Sequence, residues 1–199
     1  MVGVVSTLTR DDYLAAGLDL LADGGEAAVT IAALCGRLGV TKGSFYHHFA
    51  GVEVFHEALL AFWEDGTARA IETARAVTDS RKRLAVLKEL AVAAHHEAEG
   101  AIRAWGRSYE PAAAVVRRVD SAREANLVES FRAIGLPPAR ARRLARLGLA
   151  TLIGTQHMEH PVDRRRLLSV FDEYQQWLEA VSPAVSAGRP GAPVRIDQR

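Results

Sequence analysis

Cysteine is almost missing from this chain: Cys35 is the single one in 199 residues. That excludes a disulfide framework and any zinc site built on several thiolates. Long apolar runs are missing too. No stretch approaches the roughly 18 uncharged apolar residues of a membrane helix, so no membrane partner is expected. Neither sign of charge dominates: 25 Lys and Arg stand against 24 Asp and Glu, a net of +1. A non-specific polycation is thereby excluded. The opening residues, Met1 to Leu8, have no basic stretch and too short an apolar run for a secretory signal. A soluble, cytoplasmic protein is the expectation. Strand-like alternation is nearly absent as well.

What is present is helical patterning. Apolar residues make up 49% and charged residues 25%, enough of each for one or two folded domains. Apolar side chains recur at three- and four-residue spacings. A first helix is expected from Thr9, with Asp11 and Asp12 in its first turn and Gly24-Gly25 at its end. A second starts at Thr30 and buries Ile31, Leu34, Cys35 and Leu38 before Gly39-Val40 breaks it. Thr41 then opens a third, Lys42 to His48. Two short helices joined at a glycine turn form a helix-turn-helix pattern. Longer helices follow: from Gly51 to about Val77, from about Asp79 to Glu97, from Pro111 to about Gly135, from Pro138 to Glu159, and from Asp163 to Val181. Gly100 and Gly106 are expected to bracket a short, loosely packed segment.

Thr30 to Phe49 is the most informative stretch. Thr41-Lys42-Gly43-Ser44 places backbone N–H groups, two hydroxyls and a lysine at one helix end, which suits phosphate. Such a helix also fits a DNA major groove. Phe45 and Phe49 share a face and can anchor it, leaving Tyr46, His47 and His48 turned partly outward.

The run Leu38-Gly39-Val40-Thr41-Lys42-Gly43-Ser44-Phe45-Tyr46-His47-His48-Phe49 resembles the DNA-binding domain of TetR-type transcriptional regulators. The likeness extends from Thr9 to about Phe62; beyond it only the layout of long helices is similar. The resemblance implies an all-α protein that binds a partly palindromic double-stranded DNA operator as a homodimer. It implies a phosphate contact from Thr30, base or backbone contacts from Thr41, Lys42, Gly43, Ser44 and His47, and phosphate contacts from Tyr46 and His48. Repression relieved by a small-molecule effector is the mode it suggests, with no cofactor, no metal and no enzymatic activity. Three positions depart from the pattern. Ala50-Gly51-Val52-Glu53 lacks the lysine that many members carry there, Cys35 replaces a smaller residue, and Leu38 stands where a smaller residue often precedes the glycine.

Residues 1–51 hold three bases (Arg10, Arg37, Lys42) against five acids (Asp11, Asp12, Asp19, Asp23, Glu26). So little positive charge predicts a shallow salt dependence of DNA binding. By contrast, residues 117–166 hold eleven arginines against five acids. Solvated, ion-paired helix faces fit that surplus, as do an anionic ligand and a second contact with DNA. Trp63, Trp105, Tyr109 and His157 are candidates to line an effector pocket, although core packing serves the aromatics equally well. Leu147, Thr151, Gly154, Phe171, Tyr174 and Trp177 are candidates for a dimer face on the last two helices, as in a four-helix bundle. The expected organisation is a helix-turn-helix domain over 1–50, a helical ligand-binding and dimerisation domain over 51–182, and a flexible tail over 183–199. Two other readings stand beside this one: a helical interaction module without DNA binding, and a metal-dependent all-α enzyme using the paired histidines.

Overall fold

A computed structural model describes residues 8–181; the expected tail over 183–199 lies outside them. Among the described residues there are nine α-helices, one short 3-10 turn and no strand. No helix there is long and apolar enough to cross a membrane.

Local chemistry sets the first three helices. Helix α1 (Arg10–Gly24) starts at a reciprocal capping box in which Thr9 and Asp12 satisfy each other's backbone N–H groups. After the 3-10 turn (Glu26–Ala28), Thr30 caps α2 (Ile31–Leu38) by accepting the Ala33 N–H at 3.1 Å. Gly39 ends α2 at φ 67°, a left-handed conformation that costs roughly 1–2 kcal/mol for a residue with a Cβ. Helix α3 (Lys42–His48) follows directly. All three occupy the bounds expected from their caps and glycines.

Helix α4 (Val52–Arg75) links this head to the body. Gly17 lets α1 sit tightly on it: a Cβ there would lie 2.8 Å from the Phe55 ring and 3.0 Å from Leu59. One apolar core therefore crosses the 50/51 boundary, running from Tyr13, Leu34 and Phe45 through Phe55, Leu59 and Trp63 to Ile102 and Val119.

The body departs from expectation at one place. The helix expected from Asp79 to Glu97 is two helices, α5 (Ser80–Ala93) and α6 (His96–Trp105). No glycine or proline marks the break. It is held by non-helical bonds: Ala94 O accepts from His96 N at 3.0 Å and from Arg164 Nη2 at 3.1 Å. The bend turns His96 inward, where it is almost wholly buried. Nor is the Gly100–Gly106 segment loose. It forms most of α6, whose Ala98 and Ile102 are fully buried.

Helices α7 (Glu110–Ala133), α8 (Pro138–Met158) and α9 (Arg164–Val181) complete the body. Pro111 and Pro138 lie in first turns, as anticipated. A second core gathers Leu84, Phe131, Leu144 and Leu178, and a third gathers Leu152, Leu167 and Phe171.

Candidate nucleic-acid interface and internal cavity

Helix α3 is held by its aromatic face. The rings of Tyr13, Phe45, Phe49 and Phe55 lie 4.9–6.0 Å apart. Phe45 is 0% and Phe49 2% exposed. Burying such a ring contributes on the order of 2 kcal/mol, so the short helix is fixed by packing rather than by its own propensity.

The outward face carries the candidate contacts. Thr30, Thr41, Lys42, Gly43, Tyr46 and His47 are all exposed, Tyr46 by 56%. Thr41 occupies the N-cap position of α3 but makes no side-chain capping bond. Ser44 and His48 are different, being only partly exposed. The Ser44 hydroxyl accepts from Tyr13 OH at 2.7 Å, and the His48 ring packs 5.2 Å from that of Tyr13. Both side chains tie α3 to α1.

The charges of the head are also partly spent inside the protein. Arg37 is paired with Asp23 and lies 3.8 Å from Asp19. The Arg10 guanidinium sits over the Phe49 ring at 5.0 Å. Lys42 is the one basic side chain that α3 itself offers apart from histidine. Cys35 is buried, with its thiol 3.6 Å from Thr41 O, a packing position rather than a reactive one.

In the body, the sequence-predicted pocket residues are placed elsewhere than the apolar cavity between the helices. Trp105 stacks on Tyr109 at 4.9 Å and meets His56 edge-on, while Trp63 donates to Glu99 Oε1 at 3.4 Å. All three aromatic side chains pack in or against the first core. His157 borders a shallow hollow between α7 and α8 that also holds Arg117, Glu124 and Arg146.

The cavity itself has a volume of about 150 Å³ and is lined by α4, α5, α7, α8 and α9. Leucine, alanine, isoleucine and phenylalanine side chains form most of its wall, with Thr67, Lys88, Arg123, Asn126, Tyr174 and Gln175 as polar members. Sequence reasoning missed these residues. The signal was the buried face of α7, where Arg123, Asn126 and Ser130 interrupt the apolar spacing between Val119 and Phe131.

A buried polar network joins the cavity wall to α6. Arg123 makes two bonds to Glu99, one of them at 3.0 Å, and Gln156 Nε2 donates to Glu99 Oε2 at 2.8 Å. Burial opposes the charge on Glu99, but the bonds and charge of Arg123, the Gln156 bond and the charge of Arg103 prevail. The carboxyl is held down at about 2. Part of the arginine surplus of residues 117–166 is likewise used in pairs: Arg117 with Glu110, Arg118 with Glu64, Arg146 with Glu124 and Arg166 with Glu159. Among the described residues no group of three or more His, Cys, Asp or Glu side chains is placed to hold a metal ion.

The candidate dimer residues divide. Leu147 is 49% and Trp177 45% exposed, and Thr151 and Gly154 are half-buried. Phe171 and Tyr174 are turned inward instead. Phe171 belongs to the third core, and the Tyr174 hydroxyl donates to Leu144 O beside Gly148. These two are packing residues of the monomer rather than a free face.

A core-anchored helix-turn-helix head on an all-helical body defines a class of DNA-binding protein. Residues 14–59 match the family model for bacterial regulatory proteins of the tetR family. A transcriptional regulator from Rhodococcus sp. Rha1 superposes with a TM-score of 0.70 at 17% identity, covering 87% of this chain and 97% of its own. A TetR transcriptional regulator from Legionella pneumophila gives 0.71 at 12% identity, over 88% and 97%. Salmonella enterica GusR gives 0.65 at 20% identity, over 92% and 98%. No curated protein matches the chain in sequence. The head thus matches the tetR-family model, and the chain as a whole shares the fold of these regulators.

Proposed function

We propose that this protein is a ligand-responsive transcriptional repressor that binds a partly palindromic operator as a homodimer and is released by a small molecule. The observation that carries the reading is the outward array of Thr41, Lys42, Gly43, Tyr46 and His47 on a helix whose opposite face is locked into the core. Base edges specify sequence and phosphates set register. On this reading α3 supplies the first, and Thr30 at the start of α2 supplies part of the second.

The cavity is the effector site. A ligand there shifts the equilibrium between DNA-competent and released states only by its unequal affinity for the two. The Arg123–Glu99 pair gives it a route: Arg123 faces the cavity, and Glu99 belongs to α6, which packs against α1. The outward residues of α8 and α9, Leu147 and Trp177 foremost, form the dimer face.

Selection of bound fragments from a random DNA pool at low salt tests this reading. Enrichment of one partly palindromic sequence is the expected result. The Lys42→Ala/Tyr46→Ala double variant then loses that sequence while its melting temperature and oligomeric state stay unchanged. No enrichment, or undiminished binding by the variant, overturns the assignment.

A further inference from the structure

The walls of the cavity also specify what kind of molecule it takes. We infer that the effector is a compact, uncharged, largely apolar molecule carrying one hydrogen-bond donor, a phenol-like or small cyclic alcohol, held by Asn126. This rests on the reading of the cavity as the effector site.

Size comes first. A volume of about 150 Å³ corresponds to an apolar cavity that takes up benzene. Charge comes second. The two cationic side chains at the wall are already neutralised: Arg123 by Glu99, and Lys88 by Asp172 at 2.5 Å. A ligand carboxylate would be buried without a cation of its own, and a ligand ammonium without an anion, each at a large desolvation cost.

Polarity comes third. Asn126 is 1% exposed and its Oδ1 has no hydrogen-bond partner among the described residues. An unsatisfied buried acceptor is destabilising, and a donor brought by the ligand would relieve it. The Tyr174 hydroxyl is committed to Leu144 O, and burial keeps it protonated. Asn126 Oδ1 is thus an acceptor on the wall that a ligand donor can satisfy.

Calorimetric titration of the full chain with phenol, fluorobenzene and benzoate tests this. Fluorobenzene matches phenol in size but has no donor, and benzoate adds a charge. The expected result is phenol binding roughly tenfold or more tighter than fluorobenzene, with no measurable benzoate binding. In Asn126→Leu the phenol preference falls to about one. Should that variant not fold, the ratio in the unmodified chain decides. Equal affinities for phenol and fluorobenzene, tighter benzoate binding, or an undiminished ratio in Asn126→Leu overturn the ligand class but leave the cavity an effector site. Binding of none of the three overturns the effector reading with it.

Discussion

The head and the body solve opposite problems. The interior of the head is dry and aromatic: Tyr13, Phe45, Phe49 and Phe55 interlock, and its polar side chains face outward. The body buries Arg123, Glu99, His96, Gln156 and Asn126, and it keeps a cavity beside them. Close packing gives the head one shape. Buried polar groups and a void give the body two ways to be satisfied, empty or filled. A reading element benefits from having one shape, and a sensing element from having more than one.

The sharpest way to break this contrast is Glu99→Gln. It leaves Arg123 charged and buried with only Asp120, itself bonded to Arg103, as a nearby negative charge, and should cost about 3–5 kcal/mol. Thermal unfolding should show a fall on the order of 10 °C. A change comparable to that of Arg117→Ala, which removes an exposed pair with Glu110, would show that the network is not under strain of charge. The same pair sets an acid limit. The carboxyl of Glu99 is depressed in the folded chain, so its contribution is fully present above the ordinary value of 4.5 and is lost as pH falls toward about 2. Stability on the order of 3 kcal/mol should vanish across that window, and denaturant titrations at pH 5 and pH 2 measure it. Glu99→Gln should flatten the profile.

Smaller effects sharpen the head's side of the comparison. A Cβ on Gly43 meets only Thr41 Oγ1, at 3.6 Å. Gly43→Ala should therefore raise stability by up to about 1 kcal/mol, as helix propensity dictates. A concurrent loss of operator affinity would identify close approach of the α3 backbone to DNA; unchanged affinity would exclude it. The smallest effect expected is that of salt. With Arg37 paired to Asp23 and Arg10 held over Phe49, few counterions are released on binding. The log–log slope of affinity on salt should stay well short of the roughly −5 to −9 given by six to ten phosphate contacts. A slope in that range would show that bases outside the head reach the DNA.

Legibility followed the locality of the signal. Thr9, Thr30, Gly25 and Gly39 announce the ends of α1 and α2 within a few residues, and the spacing of Phe45 and Phe49 announces the buried face of α3. The α5–α6 break carries no such mark, because Arg164, 70 residues downstream, helps to hold it. The cavity draws on five helices, so no single window of sequence contains it. The aromatics expected to line it pack instead with one another, since stacking Trp105 on Tyr109 needs only one turn of chain. The Arg surplus looked like a surface field because its partners Glu64 and Glu99 lie far away in the chain. Ser44 and His48 looked available because their tie to Tyr13 spans the same distance problem.

That tie constrains how such a head can be retargeted. The Ser44 hydroxyl is part of the hinge between α1 and α3, so variation there perturbs the pose of the whole reading helix. Positions 41, 42, 43, 46 and 47 are exposed and carry no comparable bond to α1. A library confined to those five would explore new sequence preferences at little cost to folding. One that includes position 44 would mix changes of preference with changes of aim.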